Sequence, residues 1–258
     1  MRVLGTASTR LPFYNDWVTE VALSNPYGWF RLNETSIVVG TAADDTGSAN
    51  TNGTYTSITG LSSGQTPLTD YSGNTALSFN GTAIPYIALD STVFGTNMMT
   101  NNAFSAEMIF SIATNSTAEK ATAGRQNADA TGWGLYVTVT SDNFLYVTGW
   151  AGNIFQTGID GSTGIPWVAD KAYHVVFTCD SIISRFYVNG VERNSRLISG
   201  QPYTIPTTTG GYVGALASFT GSFDRSRSSK IDEIVYYRSV LSASTVADHA
   251  AAAGLYLN

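Results

Sequence analysis

The stretch that most restricts what this chain can fold into is Ser228-Ser229-Lys230-Ile231-Asp232-Glu233-Ile234-Val235-Tyr236-Tyr237-Arg238-Ser239-Val240-Leu241-Ser242, followed by an alanine-rich segment that stops at Gly254. Ile231 to Tyr237 reads as a β-strand apolar on both faces, interrupted near its start by Asp232 and Glu233 side by side. Ser242 then fits a helix N-cap, Leu241 and Val246 a hydrophobic staple, and Gly254 the C′ stop. Thr245 stands at N3, where a full capping box would carry Glu or Gln. A β-chain that closes with one short capped helix belongs to a narrow class of folds.

Upstream, short apolar runs alternate with Gly, Asn, Ser and Asp clusters. The pattern predicts strands over 28–32, 55–58, 75–79, 86–89, 133–140, 144–149, 173–180, 183–188, 210–217 and 230–237, with Asn80-Gly81 and Asn189-Gly190 as turns. Over 103–112, Phe104, Ala106, Met108, Phe110 and Ile112 share one face. Ser105, Glu107 and Ser111 share the other, with Ile109 the exception, so this reads as a half-buried strand. Residues 41–65 and 114–131 read as polar excursions. Residues 1–26 lack periodicity and end at Asn25-Pro26, which predicts an N-terminal arm or docking segment ahead of one domain over 27–258. So many regularly spaced strands argue for an all-β, two-sheet antiparallel jelly-roll sandwich.

Composition narrows the partners. Charged residues make up 12% of the 258, against about 25% in an average globular chain, so solubility must come from hydroxyl and amide groups. A net charge of −6 with no basic cluster argues against nucleic acid. No apolar run reaches the roughly 20 residues that span a bilayer, and no charged-then-apolar leader opens the chain. The single cysteine, Cys179, sits in a strand and is expected to be buried as a small hydrophobe.

Seven segments in order resemble the laminin G-like, concanavalin A-like lectin/glucanase family: Gly28–Glu34, Ala43–Gly47, Thr75–Gly81, Phe104–Met108, Tyr173–Thr178, Arg185–Gly190, and Ile231–Ile234 through Ser242. The likeness spans roughly 26–254. Asn25-Pro26-Tyr27-Gly28-Trp29 is similar to the version found in bacteriophage tail and capsid-associated proteins. The resemblance implies a structural calcium ion, for which Asp232, Asp44, Asp45 and Asn80 are the candidate oxygen donors. Asn80 stands where the family often has Asp. The other reading of the acids is that Asp232 accepts backbone hydrogen bonds from a neighbouring loop while Glu233 pairs with Lys230 or Arg238.

Catalytic patterns are sparse. The laminarinase-type pair needs two acids on one strand face, and no Glu here has an Asp two positions later; adjacent Asp232 and Glu233 point to opposite faces. His174 reads as a sheet histidine and His249 as solvent-facing on the terminal helix. Gly60-Leu61-Ser62-Ser63-Gly64 has the letters of a nucleophile elbow but no helix after it, so it reads as a loop. One Cys and two distant His do not make a zinc site. Carbohydrate contacts are expected from Trp150, Asn153 and Trp167, on loop-rich segments where indoles can stack on sugar rings; the other reading of each Trp is a partly buried loop anchor.

These readings favour a non-enzymatic structural or attachment protein on a phage-like virion. It would be a capsid decoration or a tail or head accessory protein, bound to other virion proteins through the arm, with weak binding of host-surface glycan and a homo-oligomeric state. The alternative is a secreted or surface carbohydrate-binding module; a divergent glycosidase stands third.

Overall fold

In the computed structural model the described residues are 16–43, 46–69, 74–80, 85–91, 93–94, 98, 103–114, 120–126, 132–139, 142–152, 154–157, 165–180, 182–198, 211–217, 223–225 and 228–256. The elements run α1 (Trp17–Leu23), β1 (Gly28–Phe30), β2 (Ala42–Ala43), β3 (Gly53–Ser57), β4 (Leu61–Gln65), β5 (Ala76–Phe79), β6 (Tyr86–Ala88) and β7 (Phe104–Ile112). They continue with β8 (Lys120–Gln126), β9 (Gly132–Val139), β10 (Leu145–Gly152), β11 (Ile154–Thr157), β12 (Tyr173–Cys179), β13 (Ile183–Val188) and β14 (Val191–Leu197). Last come β15 (Tyr212–Val213), β16 (Ala215–Ala217), β17 (Phe223–Arg225), β18 (Ser229–Tyr237) and α2 (Ala243–Ala252).

The strands form the expected sandwich of antiparallel sheets. The first sheet has the order β14-β13-β12-β7-β18-β5-β4, with β1 also paired to β18; the second has the order β11-β10-β9-β8-β15-β6-β3-β2. Between them lies a core that includes Phe104, Met108, Phe110, Trp133, Val137, Phe177 and Tyr236, all at most 1% exposed. Asn189 and Gly190, at φ 50° and 80°, join β13 to β14 by the two-residue turn whose twist matches a hairpin, with Val188 opposite Val191.

Three expectations change. First, β7 is buried on both faces, not one: α1 and α2 cover the outside of the first sheet. There Trp17, Val21, Trp29, Ile109, Val176, Val235, Tyr237, Leu241 and Val246 form a second core, so Ile109 is no exception to the pattern. Second, residues 16–26 of the expected arm belong to the fold. Asp16 caps α1 through the Thr19 N–H at 2.9 Å, and Trp17 and Val21 are fully buried. Third, two stretches read as loops are strands. β4 takes in residues 61–64 of the Gly60–Gly64 motif, after a turn at Gly60, and pairs with β5 at the sheet's edge, which removes any elbow. β8 pairs with β9 throughout, and its inward residues Ala121 and Ala123 are too small to give a strong hydrophobic signal.

The terminal helix forms as its sequence dictates. Ser242 accepts from the Thr245 N–H at 3.1 Å. At the other end the Leu255 N–H donates to the Ala250 carbonyl (2.8 Å) and the Gly254 N–H to Ala251 (3.0 Å), with Gly254 at φ 73°, a Schellman stop. Ser105 stitches the preceding turn to the sheet, donating to the Ser239 carbonyl (2.8 Å) and accepting from the Leu241 N–H (3.0 Å).

Candidate functional site

The register of the first sheet gathers its chemistry around Glu107. This residue lies opposite Val176 on β12 and Val235 on β18, so His174 and Tyr237, two residues along on each neighbour, are its diagonal partners on the outer face. His174 Nε2 is 2.5 Å from Glu107 Oε1, and the Tyr237 hydroxyl donates to Oε2 at 2.8 Å. From α2, His249 Nδ1 lies 3.1 Å from both carboxylate oxygens. Its Nε2 is 2.9 Å from Ser24 Oγ at the end of α1. Trp17 closes the space, edge-on to both imidazoles with ring centroids 5.8 Å away. His249 is therefore not solvent-facing; it is fully buried, because α2 lays that face on the sheet.

Burial alone would raise the Glu107 pKa, but the His249 and His174 rings and their hydrogen bonds hold it well below the usual carboxylate range. Burial opposes a charge on His249, yet the Glu107 carboxylate raises its pKa. The Ser24 hydroxyl donates to the Glu20 carbonyl (3.3 Å), which leaves its lone pairs to accept from a protonated His249.

Ser24, His249 and Glu107 thus have the connectivity of a Ser-His-acid chain, but not its setting. Ser24 sits at the C-terminal end of α1, where partial negative charge opposes an oxyanion. The N–H groups of Ser24 and Asn25 are already donated to Val21 and Ala22 carbonyls. The cluster is a clasp that docks both helices.

Asp232 is the residue skipped at a register shift between Ile231 and Glu233 in the pairing of β18 with β7. Glu233 is buried and not on the surface: it accepts from Trp29 Nε1 at 2.6 Å, with Arg31 Nε 3.8 Å away. Asp232 accepts from the Leu68 N–H at 2.6 Å, the Thr69 hydroxyl at 3.4 Å and the Asn74 amide. Burial raises its pKa to about 6, against the pull of the Leu68 and Asn74 hydrogen bonds. Both its oxygens are thus engaged by Leu68, Thr69 and Asn74, which is the loop-tether reading of this acid. Asp44 and Asp45 lie outside the described residues. Among the described residues no group of three or more His, Cys, Asp or Glu is placed to hold a metal ion.

At the Ser229 end of β18 a surface cleft of roughly 250 Å³ opens. Lys230 faces Ser78 on β5 and Ser111 on β7, so three polar side chains line up across three strands. Asn80 and Asp170 are among the other residues of the wall. Asp170 is set by its own loop: its N–H donates to the Ile112 carbonyl at 3.1 Å, and Trp167 Nε1 reaches the same oxygen at 3.3 Å. Trp167 is half-buried against the core, an anchor for the loop that presents Asp170. Of the other expected carbohydrate residues, Trp150 has its backbone on β10 opposite Gly134, with its side chain outside the described residues, as is Asn153. Sequence reasoning missed Lys230, Ser78 and Ser111 because only strand register brings them together.

Comparison with known proteins agrees with this architecture. Among curated proteins none matches the chain by sequence. Among solved structures, Trypanosoma rangeli sialidase in complex with 2,3-difluorosialic acid is similar over 88% of this chain and 32% of its own length, with 15% identity and a TM-score of 0.58. The chain thus spans about a third of that sialidase. Domain 4 of AbnA, a GH43 extracellular arabinanase from Geobacillus stearothermophilus, in complex with arabinotriose, is similar over 88% of this chain and 98% of its own, at 19% identity and TM-score 0.56. The binding domain of botulinum neurotoxin serotype D gives 16% identity, coverage of 88% and 51%, and TM-score 0.55. These likenesses correct one expectation. Sialidases and an arabinanase domain share the fold, so the fold does not set this chain apart from glycan-processing enzymes, and the reading of it as non-enzymatic falls. A laminin G family model matches residues 84–247, well over half of the 258 residues, and the chain therefore belongs to the concanavalin A-like lectin/glucanases superfamily.

Proposed function

We propose that this domain recognises carbohydrate and that the cleft at the Ser229 end of β18 is its binding site. The observation that carries the reading is the row Ser78–Lys230–Ser111, with Asp170 in the lining of the same cleft. An ammonium, a carboxylate and hydroxyls within one small concavity can donate to and accept from the neighbouring hydroxyls of a sugar ring. The arabinanase domain solved with arabinotriose supports the same reading at the level of fold. Arabinotriose and a set of neutral oligosaccharides titrated into labelled protein should shift amide resonances at 78, 111, 170 and 230. Asp170→Ala and Lys230→Ala should each weaken binding about tenfold, as loss of a charged hydrogen-bond partner does. Absence of binding by every neutral oligosaccharide overturns the assignment of this cleft.

In this reading the glycan is displayed on a cell or particle surface, and a homo-oligomer would multiply weak single-site affinity. Of the segment expected to dock the chain to other virion proteins, Trp17, Val18 and Val21 pack on the sandwich, and residues 1–15 lie outside the described residues.

A further inference from the structure

The cleft at the Ser229 end of β18 presents two opposite charges that do not neutralise each other. Lys230 and Asp170 both line its roughly 250 Å³, yet neither side chain has a hydrogen-bond or ion-pair partner among the described residues. Other charged groups in the molecule are engaged: Arg185 lies 3.6 Å from Glu192, Glu107 bridges two imidazoles, and Asp180 accepts from the Ile182 and Ile183 N–H groups. Opposite charges in a concavity attract over several ångströms, so two that stay unpaired are held apart by their backbones.

The fold shows how. Lys230 is fixed by strand pairing on both sides, opposite Ser78 and Ser111. Ile231, Leu77 and Phe110 belong to the inner core, so the three polar side chains beside them point outward. Ser111 is only 2% exposed, which keeps one wall of the cleft partly dry. Asp170 is fixed through its loop, by its own N–H on the Ile112 carbonyl and by the Lys171 N–H on the Val168 carbonyl at 3.2 Å. Its φ of 58° lies in the left-handed region, where glycine sits without strain. A carboxylate kept at such a position points to work for the side chain.

The cleft has the volume of about eight waters at ~30 Å³ each, room for one sugar ring with its substituents, so a ligand that answers both charges must carry both on one unit. A ring with a single charge gains from one wall and is repelled by the other. A ring with an ammonium and an acid group meets a complement at each. We infer that this cleft selects a zwitterionic sugar, with a free amine for Asp170 and a carboxylate or phosphate for Lys230. The inference rests on the reading of the cleft as a carbohydrate site and adds the class of saccharide.

Methyl neuraminoside (amine and carboxylate), glucosamine 6-phosphate (amine and phosphate), the N-acetyl form of each, and methyl glucosaminide, an amine alone, would be titrated by calorimetry into the full chain at about pH 6, where amines are protonated and carboxylates ionised. At least one zwitterion should bind about ten- to a hundredfold tighter than its N-acetyl form and than methyl glucosaminide. Asp170→Asn should erase the gain over the N-acetyl form and Lys230→Gln the gain over the amine alone, with unchanged melting temperature as the check on folding. The tighter zwitterion names the acid group. Acetylation without loss of affinity, or a zwitterion preference that survives both substitutions, overturns the inference; the acetylation arm needs no variant. If neutral oligosaccharides still bind in a Lys230-dependent manner, only the zwitterion class has failed; if no sugar binds, the wider reading has failed with it.

Discussion

The two hydrophobic cores of this molecule lie on opposite faces of one sheet and cohere by different physics. The inner core, between the sheets, is held by aromatic and aliphatic volume: Trp133 meets Tyr236 edge-on at 5.0 Å, and Phe177 packs on Phe186 at the same separation. The outer core, beneath α1 and α2, has an apolar rim around a buried charge, with Glu107 bridging two histidines and a tyrosine drawn from three other elements. Close packing tolerates volume-conserving change, whereas a buried carboxylate tolerates loss of its donors poorly. One face of β7 is therefore forgiving in chemistry and strict in volume; the other is the reverse.

The largest effects should separate the two cores by where they act. Phe110→Ala, a deletion in the inner core, should cost about 3–5 kcal/mol and lower the protection of the whole sandwich in hydrogen exchange. Glu107→Ala strands two imidazoles and a phenol in a dry space, a loss of about 3–5 kcal/mol as well. Its damage should be local, with α1 and α2 exchanging first while β12 and β18 keep their protection. Equal loss of protection in both variants would mean that the cores are one cooperative unit.

Acidity should act on the outer core and leave the inner one alone. The Glu107 pKa lies below its ordinary value of 4.5, so its contribution is complete above 4.5 and disappears as the pH falls through the folded-state value. The His249 pKa lies above 6.5, so its contribution is complete below 6.5 and disappears as the pH rises through the folded-state value. His174, Tyr237 and, from α1, Glu20 and Ser24 face the same pair. Docking of the helices should thus be tightest between about pH 4.5 and 6.5 and loosen on either side. Asp232, raised to about 6, contributes fully below 3.8 and loses that contribution as the pH climbs from 3.8 through 6, so it tilts overall stability toward the acid side of that window. Trp17 fluorescence followed against pH in a variant lacking the other tryptophans would report the docking. A flat profile from pH 4 to 8 would remove the charge from the account of the outer core.

The contrast also explains what could be read from the chain. The inner core was legible because strands write it locally: Phe104, Met108 and Phe110 alternate, and each pairs with a stretch that alternates in the same way. The capped helix was legible for the same reason, since Ser242, Leu241, Val246 and Gly254 are close neighbours. The outer core was not, because His174, Tyr237 and His249 lie 67 to 142 positions from Glu107 and each has a bland reading alone. Trp17 fell in a segment without periodicity because a seven-residue helix offers only two turns of pattern. Asp232 was half legible: its loop tether was one of two readings, and the partners Leu68, Thr69 and Asn74 emerge only from the fold. Trp167 was legible as a loop anchor, but Asp170, which it helps present, and Lys230 on β18 are polar residues with no motif around them.

The smallest predicted effects give the sharpest contrast, because they compare adjacent residues of one type. Tyr236 points into the inner core, where burial pushes its pKa far up and its hydroxyl has no hydrogen-bond partner among the described residues. Tyr237 points outward and donates to Glu107 at 2.8 Å. Removing an unpartnered buried hydroxyl should be neutral or slightly stabilising, whereas removing a donor to a carboxylate should cost about 1.5–3 kcal/mol. Tyr236→Phe should leave the denaturation midpoint unchanged or raise it, and Tyr237→Phe should lower it, with the same denaturant dependence in both. The two substitutions delete the same atom one residue apart, so a difference of that sign isolates the charge network from size and aromaticity. Equal midpoints would show that the outer face, like the inner one, is held by packing alone.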